Sequence, residues 1–254
     1  MPPLKSARPL LLQPSSHHNH HHLLLPQRRT FLPNPFSALT SPSSSPSPPQ
    51  ILTATRTLPY PPAPVYSIIA DVPAYSTFLP YCAHSTVSKW SRPDKRYARR
   101  WPSEGVITTG FGAITESFAS RIYCVPGKWV ESVGGEAETE LEREEIEHHF
   151  EEAEVRGSGQ ERTRGRQGEN GLLTYLRSKW EVEAVREAQT RVSLVVEFSF
   201  ANPMYAALSG GVAPKVADYM VKAFETRVQE VLQRNPEMVK ASLADMDGSA
   251  MRRK

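Results

Sequence analysis

The segment Thr190–Phe200, TRVSLVVEFSF, constrains the fold more than any other part of the chain. Val192, Leu194, Val196, Phe198 and Phe200 fall on one side of an extended chain, and Arg191, Ser193, Glu197 and Ser199 on the other. A strand with one apolar face belongs in a sheet that is covered on one side only. The cover follows in the sequence. Residues 213–234 place Val216, Met220, Ala223, Phe224, Val228 and Val231 at three- and four-residue spacing, which predicts a long amphipathic helix ending before Pro236. Asn202-Pro203 predicts an earlier helix start, interrupted by Gly210-Gly211.

The preceding residues predict the rest of the sheet. ILTATRTL (51–58) reads as a strand that Pro59, Pro61, Pro62 and Pro64 terminate. Val65, Ile68, Ile69 and Val72 then predict a short helix running to about Ala70. Asp71 is expected to cap a second short helix, with Pro73 in its first turn and Tyr75, Phe78 and Leu79 on one face, broken by Pro80. A strand around His84–Trp90 leads into a basic loop, SRPDKRYARRWPSEG. Three strands follow, GVITTGFGAI, ESFASRIYCV and KWVESV, the last two joined by a Pro126-Gly127 turn. The middle one places Phe118, Ile122 and Cys124 on one side, with Arg121 and Tyr123 opposite. In LLTYLRSKWEVEAV, Leu176, Trp180 and Val182 share a face whose middle position is Ser178. This order predicts an α+β domain: a curved antiparallel sheet wrapped around a long C-terminal helix, with two short helices after the first strand.

Charge divides the chain. Residues 1–50 contain Lys5, Arg8, Arg28 and Arg29 and no carboxylate, the first being Asp71, and they are rich in Ser, Pro and His. That composition predicts a disordered mitochondrial transit peptide. The tract HHNHHH (17–22) is interrupted by Asn19 and reads as incidental to it. Without those four basic residues, 26 Lys and Arg face 27 Asp and Glu, so the formal +3 of the whole chain becomes −1 and nucleic acid is not an expected partner. The domain is expected over 51–236, followed by a polar tail, 237–254. Within it, 135–170 reads as a solvated charged insertion, acidic and then basic and Gly-containing. Glu144, His148 and Glu152 would share a face if that insertion were helical, but stacked like charges disfavour a metal site there.

No protease, hydrolase, P-loop or dinucleotide motif occurs. Cys82 and Cys124 lack metal or redox spacing and read as reduced thiols. His84, two residues from Cys82, reads as a structural or surface residue, and no catalytic residue or cofactor is expected. What remains is apolar surface, and a helix laid across a concave sheet leaves room for an apolar ligand cavity.

Four motifs in this order carry a resemblance: YPPAPVY (60–66), ADVPAYSTFLPYC (70–82), GFGAITESFASRI (110–122), and FANPMYAALS (200–209) with AFETRV (223–228). From about Arg56 to Arg234, apart from the insertion, the chain resembles the mitochondrial coenzyme Q-binding proteins of the START-like superfamily. Members usually carry Trp where this chain has Tyr81. The resemblance implies a helix-grip fold that binds ubiquinone as a lipid chaperone for respiration and quinone biosynthesis. It implies a peripheral location on the matrix side of the mitochondrial inner membrane. Partners would be coenzyme Q, its biosynthetic intermediates, the inner-membrane surface, and respiratory-chain or quinone-biosynthesis proteins. On this reading Phe111, Phe118, Trp180, Val196, Phe198, Phe200, Val216, Met220 and Phe224 line the cavity, with Phe78, Leu79 and Tyr81 at its mouth. The superfamily leaves open a polyketide cyclase or aromatase, and a ribosome-associated interaction module.

Overall fold

A computed structural model describes residues 49–111, 114–151, 172–202 and 213–246. Its strands are β1 (Gln50–Leu58), β2 (Cys82–Trp90), β3 (Pro102–Phe111), β4 (Ile114–Val125), β5 (Trp129–Gly135), β6 (Leu173–Arg186) and β7 (Gln189–Phe200). They form one seven-stranded sheet in the order β1-β7-β6-β5-β4-β3-β2, antiparallel throughout. Helix α1 (Pro62–Ala70) and the long helix α2 (Ala213–Arg234) cover one face. The expected α+β helix-grip architecture is present.

The period-two alternation is converted directly into a core. Val192, Leu194 and Phe198 of β7, Trp180 and Val182 of β6, Val130 of β5, and Ile122 and Cys124 of β4 are buried together under the helices. Pro62 opens α1, whose residues Pro64 to Ala70 are all buried because the helix lies between sheet and α2. On α2 the apolar face is rotated from its expected position. Ala217, Val221, Phe224, Val228, Val231 and Leu232 are the buried residues, whereas Val216, Met220 and Ala223 are half-buried at its flank.

Four expectations need correction. The segment after Asp71 is a 3-10 helix, Val72–Thr77, with no side-chain cap from Asp71. Pro80 leaves room for only a short turn, and its bonds close three residues back, the Ala74 N–H on the Asp71 carbonyl at 3.0 Å and the Phe78 N–H on the Tyr75 carbonyl at 3.2 Å. The basic loop is an ordered plug, and β3 begins at Pro102, inside it. The Asp94 carboxylate accepts N–H groups from Arg96 (2.9 Å), Tyr97 (2.7 Å), Arg99 (3.2 Å) and the Trp101 indole (2.9 Å), and Trp101 is fully buried. Burial opposes ionisation of Asp94, but these donors outweigh it and hold the carboxyl below its ordinary range.

The insertion is not solvated over its first part. Ala137, Leu141 and Ile146 pack with Tyr123 and Val133 against the outer face of the sheet, forming a second core. Its acidic composition concealed these few apolar anchors. A buried ion cluster accompanies them: Arg177 pairs with Glu140, with Glu197 at 3.2 Å and with Glu131 at 3.8 Å. Glu131 is wholly inaccessible and is also bonded by the Thr139 hydroxyl. The fourth correction concerns the tail. Pro236–Val239 form a 3-10 turn, and Met238, Leu243 and Met246 return to the main core. The segment before residue 49 that is expected to be a transit peptide, the remainder of the insertion with Glu152, the helix expected from Asn202-Pro203 beyond Asn202, Gly210-Gly211 and the tail from 247 lie outside the described residues.

His149 ties the insertion to the sheet. Its Nε2 accepts the Cys124 backbone N–H at 2.9 Å, so Nδ1 carries the proton and donates to Ser103 Oγ at 2.7 Å. Burial, reinforced by His148, holds this imidazole at about 3, against an ordinary 6.5. The fold therefore favours the neutral ring: its contribution is intact above pH 6.5 and erodes as pH falls toward 3. Lowering pH from about 6.5 to about 5 should cost about 2 kcal/mol through this ring. The Glu131 carboxyl, raised by burial, acts in the opposite sense, its burial being less costly as pH falls toward the ordinary carboxylate range. Urea titrations at several pH values should therefore show a shallower acid slope for His149→Gln than for wild type, isolating the ring.

Candidate functional site

Sheet register shows where the inner face stops being fully buried. The transverse row Cys124, Val130, Trp180, Leu194 and Ala54 is buried throughout. The next row, two residues along, is Ile122, Ser132, Ser178, Val196 and Leu52, and its three central members are half-buried. Beyond it stand Gly134 and Leu176, then Phe198. Two facing serines and a glycine thus occupy the middle of the face where large apolar residues would close the core. A side chain at Gly134 would be crowded, since a Cβ would lie 3.2 Å from both the Ala119 carbonyl and Ser120 Oγ.

The buried row forms the floor. Phe224 of α2 meets the rings of Trp180 at 4.4 Å, Phe78 at 4.9 Å and Tyr75 at 5.2 Å. Phe224 and Trp180 are each 3% exposed, so both act as packing that closes one end of the space. Val196, Phe200, Val216 and Met220 are half-buried against the main core, and Phe198 is buried with its ring 5.4 Å from Phe200. Phe118 lines a narrow cleft with Ala119, Gly134, Gly135, Leu173 and Leu176 where β4 and β5 part. The Phe111 side chain is outside the described residues.

The expected mouth residues divide. Leu79 is buried beneath, whereas Phe78 and Tyr81 line an open groove of about 400 Å³ with Pro80, Tyr219, Lys222, Ala223 and Thr226. Tyr81 has φ +64°, a left-handed backbone that costs a non-glycine residue about 1 kcal/mol. Its carbonyl accepts the Gly110 N–H at 2.8 Å, fixing the turn at the β3–β4 end of the sheet. Tyr81 is 48% and Tyr219 50% exposed. Sequence reasoning missed Tyr219, Lys222 and Thr226 because they lie on the polar side of α2. An aromatic residue among the charges of a helix's outer side was the available signal.

The titratable groups beside the floor favour their neutral forms. Burial pushes the Cys124 thiol up to about 12, and Tyr66, whose hydroxyl donates to the Trp129 carbonyl at 3.1 Å, is also raised by burial. Both cysteines are free thiols and His84 is exposed. Among the described residues no three His, Cys, Asp or Glu side chains are grouped to hold a metal, and no helix is long and apolar enough to cross a membrane.

A seven-stranded antiparallel sheet gripping a long helix over a stepped apolar face defines the class. Residues 58–225 match the family described as polyketide cyclase / dehydrase and lipid transport, and the chain belongs to that family. Within it, the chain is 26% identical over 186 residues to the mitochondrial coenzyme Q-binding protein coq10 of Schizosaccharomyces pombe, covering 72% of this chain and 91% of that one. It is 25% identical over 174 residues to the ribosome association toxin RatA of Pseudomonas aeruginosa, covering 68% and 92%. The Zhui aromatase/cyclase from Streptomyces sp. R1128 shares the fold, with a TM-score of 0.50 at 11% identity over 72% of this chain and 96% of that one.

Proposed function

We propose that this protein binds coenzyme Q between the concave sheet and α2, and serves respiration and quinone biosynthesis as a lipid chaperone without catalysing a reaction. The observation that carries the reading is the step from a sealed row at Trp180 to a half-buried row at Ser132 and Ser178. It leaves apolar walls, Val196 and Leu176 among them, beside a place that large side chains do not fill. The name borne by the S. pombe relative, shared by mitochondrial relatives in Eremothecium gossypii and Dictyostelium discoideum, supports a quinone ligand and a mitochondrial location. Each CH₂ of an isoprenoid tail gains about 0.8 kcal/mol on leaving water, so apolar walls suffice to hold it. The chain would work peripherally on the matrix side of the inner membrane, taking quinone and its biosynthetic intermediates as cargo.

Ser178→Phe tests this. A ring set between Ser132 and Val196 occupies the ligand's place, and the expected result is a fall of about tenfold or more in affinity for a short-tailed ubiquinone. Affinity equal to wild type, in a variant with a native urea midpoint, would refute the assignment.

A further inference from the structure

The groove at the mouth carries a chemistry that cargo binding does not require. Tyr219, Lys222 and Thr226 follow one another along one side of α2, facing Phe78, Pro80 and Tyr81. Arg227 stands over the Phe78 ring at 5.7 Å, and Lys215 is exposed one turn before Tyr219. No carboxylate lines this groove. On the same part of α2, Asp218 is engaged by Arg56 at 3.1 Å, and Glu225 is half-buried beside Thr226 without lining the groove, so Lys215, Lys222 and Arg227 leave the patch in cationic excess. A basic, aromatic-rimmed patch therefore sits on a body whose formal charge from residue 51 onward is −1. Exposed tyrosines with an apolar ring and a polar tip suit the boundary between lipid headgroups and acyl chains. Lys and Arg beside them complement anionic headgroups.

We infer that this groove is a docking face for an anionic phospholipid bilayer, with Tyr81 and Tyr219 at the headgroup level and Lys222 and Arg227 against phosphates. The inference rests on the lipid-binding reading and extends it by orienting the cavity mouth toward the membrane. Such a contact lets an apolar tail pass between bilayer and protein without crossing water. The left-handed backbone at position 81 accompanies a phenol that is 48% exposed at this rim.

The test is flotation of the full chain with vesicles of phosphatidylcholine alone and with about 30% phosphatidylglycerol. Wild type should bind the anionic vesicles and float poorly with the neutral ones. The double variant Lys222→Gln/Arg227→Gln should bind anionic vesicles about 30-fold more weakly, two cations each contributing near the surface. Arg186→Gln/Lys128→Gln removes the same charge at the opposite end of the sheet, by the β6–β7 and β4–β5 turns, and should bind like wild type. Equal binding by the groove variant, or an equal loss in the far-end variant, overturns the docking face. So does a wild-type dimer that ignores anionic vesicles and that the groove substitutions dissociate, since the face would then join two copies. Quinone content of each purified protein separates the two ideas. A groove variant that loses vesicles but keeps quinone supports docking, whereas wild type that docks yet never holds quinone overturns the cargo reading alone.

Discussion

Replacing Arg177 by methionine should lower the unfolding free energy by about 3–5 kcal/mol. Arg177 lies on the outer face of the sheet, paired with Glu131, Glu140 and Glu197, and Glu131 has no access to solvent. Burial raises the Glu131 carboxyl, while the Thr139 hydroxyl and then Arg177 act to keep it ionised. Removing the guanidinium leaves a buried carboxylate with an adjacent like charge, and desolvation cannot be recovered. Adding Glu131→Leu to Arg177→Met should restore much of the loss, because an apolar pair needs no compensation. Urea midpoints of the two variants provide the check. Affinity for quinone should be unchanged in both, since the cluster is on the opposite face from the proposed cavity.

Phe224→Ala should cost about 3–5 kcal/mol for a different reason. Its ring touches Trp180, Phe78 and Tyr75 at once, and deleting it empties the junction of sheet, α2 and the 3-10 helix. This void adjoins the proposed cavity. Saturating quinone should therefore stabilise the variant, as any ligand that binds only the folded state does. Thermal denaturation with and without ubiquinone measures this, and an unaltered midpoint at saturating ligand would place the cavity elsewhere.

The inner face of the sheet was legible because its strands follow a strict two-residue period, Val192 to Phe200 above all. Ser178 was visible as an irregularity in that pattern, but its meaning needed Ser132, which pairs with it across β5 and β6. Register between strands distant in sequence cannot be read from either strand alone. The outer core was hidden for a related reason. Ala137, Leu141 and Ile146 are sparse among carboxylates, and only their meeting with Tyr123 and Val133 makes them a core. The rotated face of α2 reflects its several neighbours, since the helix packs against β1 and β7 as well as α1, and Ala217 and Val221 are the residues buried there. A helical wheel, blind to a second neighbour, favours the larger Val216 and Met220 instead. At the mouth, Phe78 and Tyr81 were recognisable from their motif, whereas their partners on α2 depend on how the helix crosses the sheet.

The central claim is that the space beside Ser132 and Ser178 holds an isoprenoid quinone. Native mass spectrometry of the full chain, after incubation with vesicles containing ubiquinone and removal of the vesicles, tests it most directly. The account predicts a complex of one quinone per chain that Ser178→Phe abolishes while the variant's charge-state envelope stays that of a folded protein. A wild-type chain that emerges empty, or a quinone adduct equally abundant in Ser178→Phe, would contradict it.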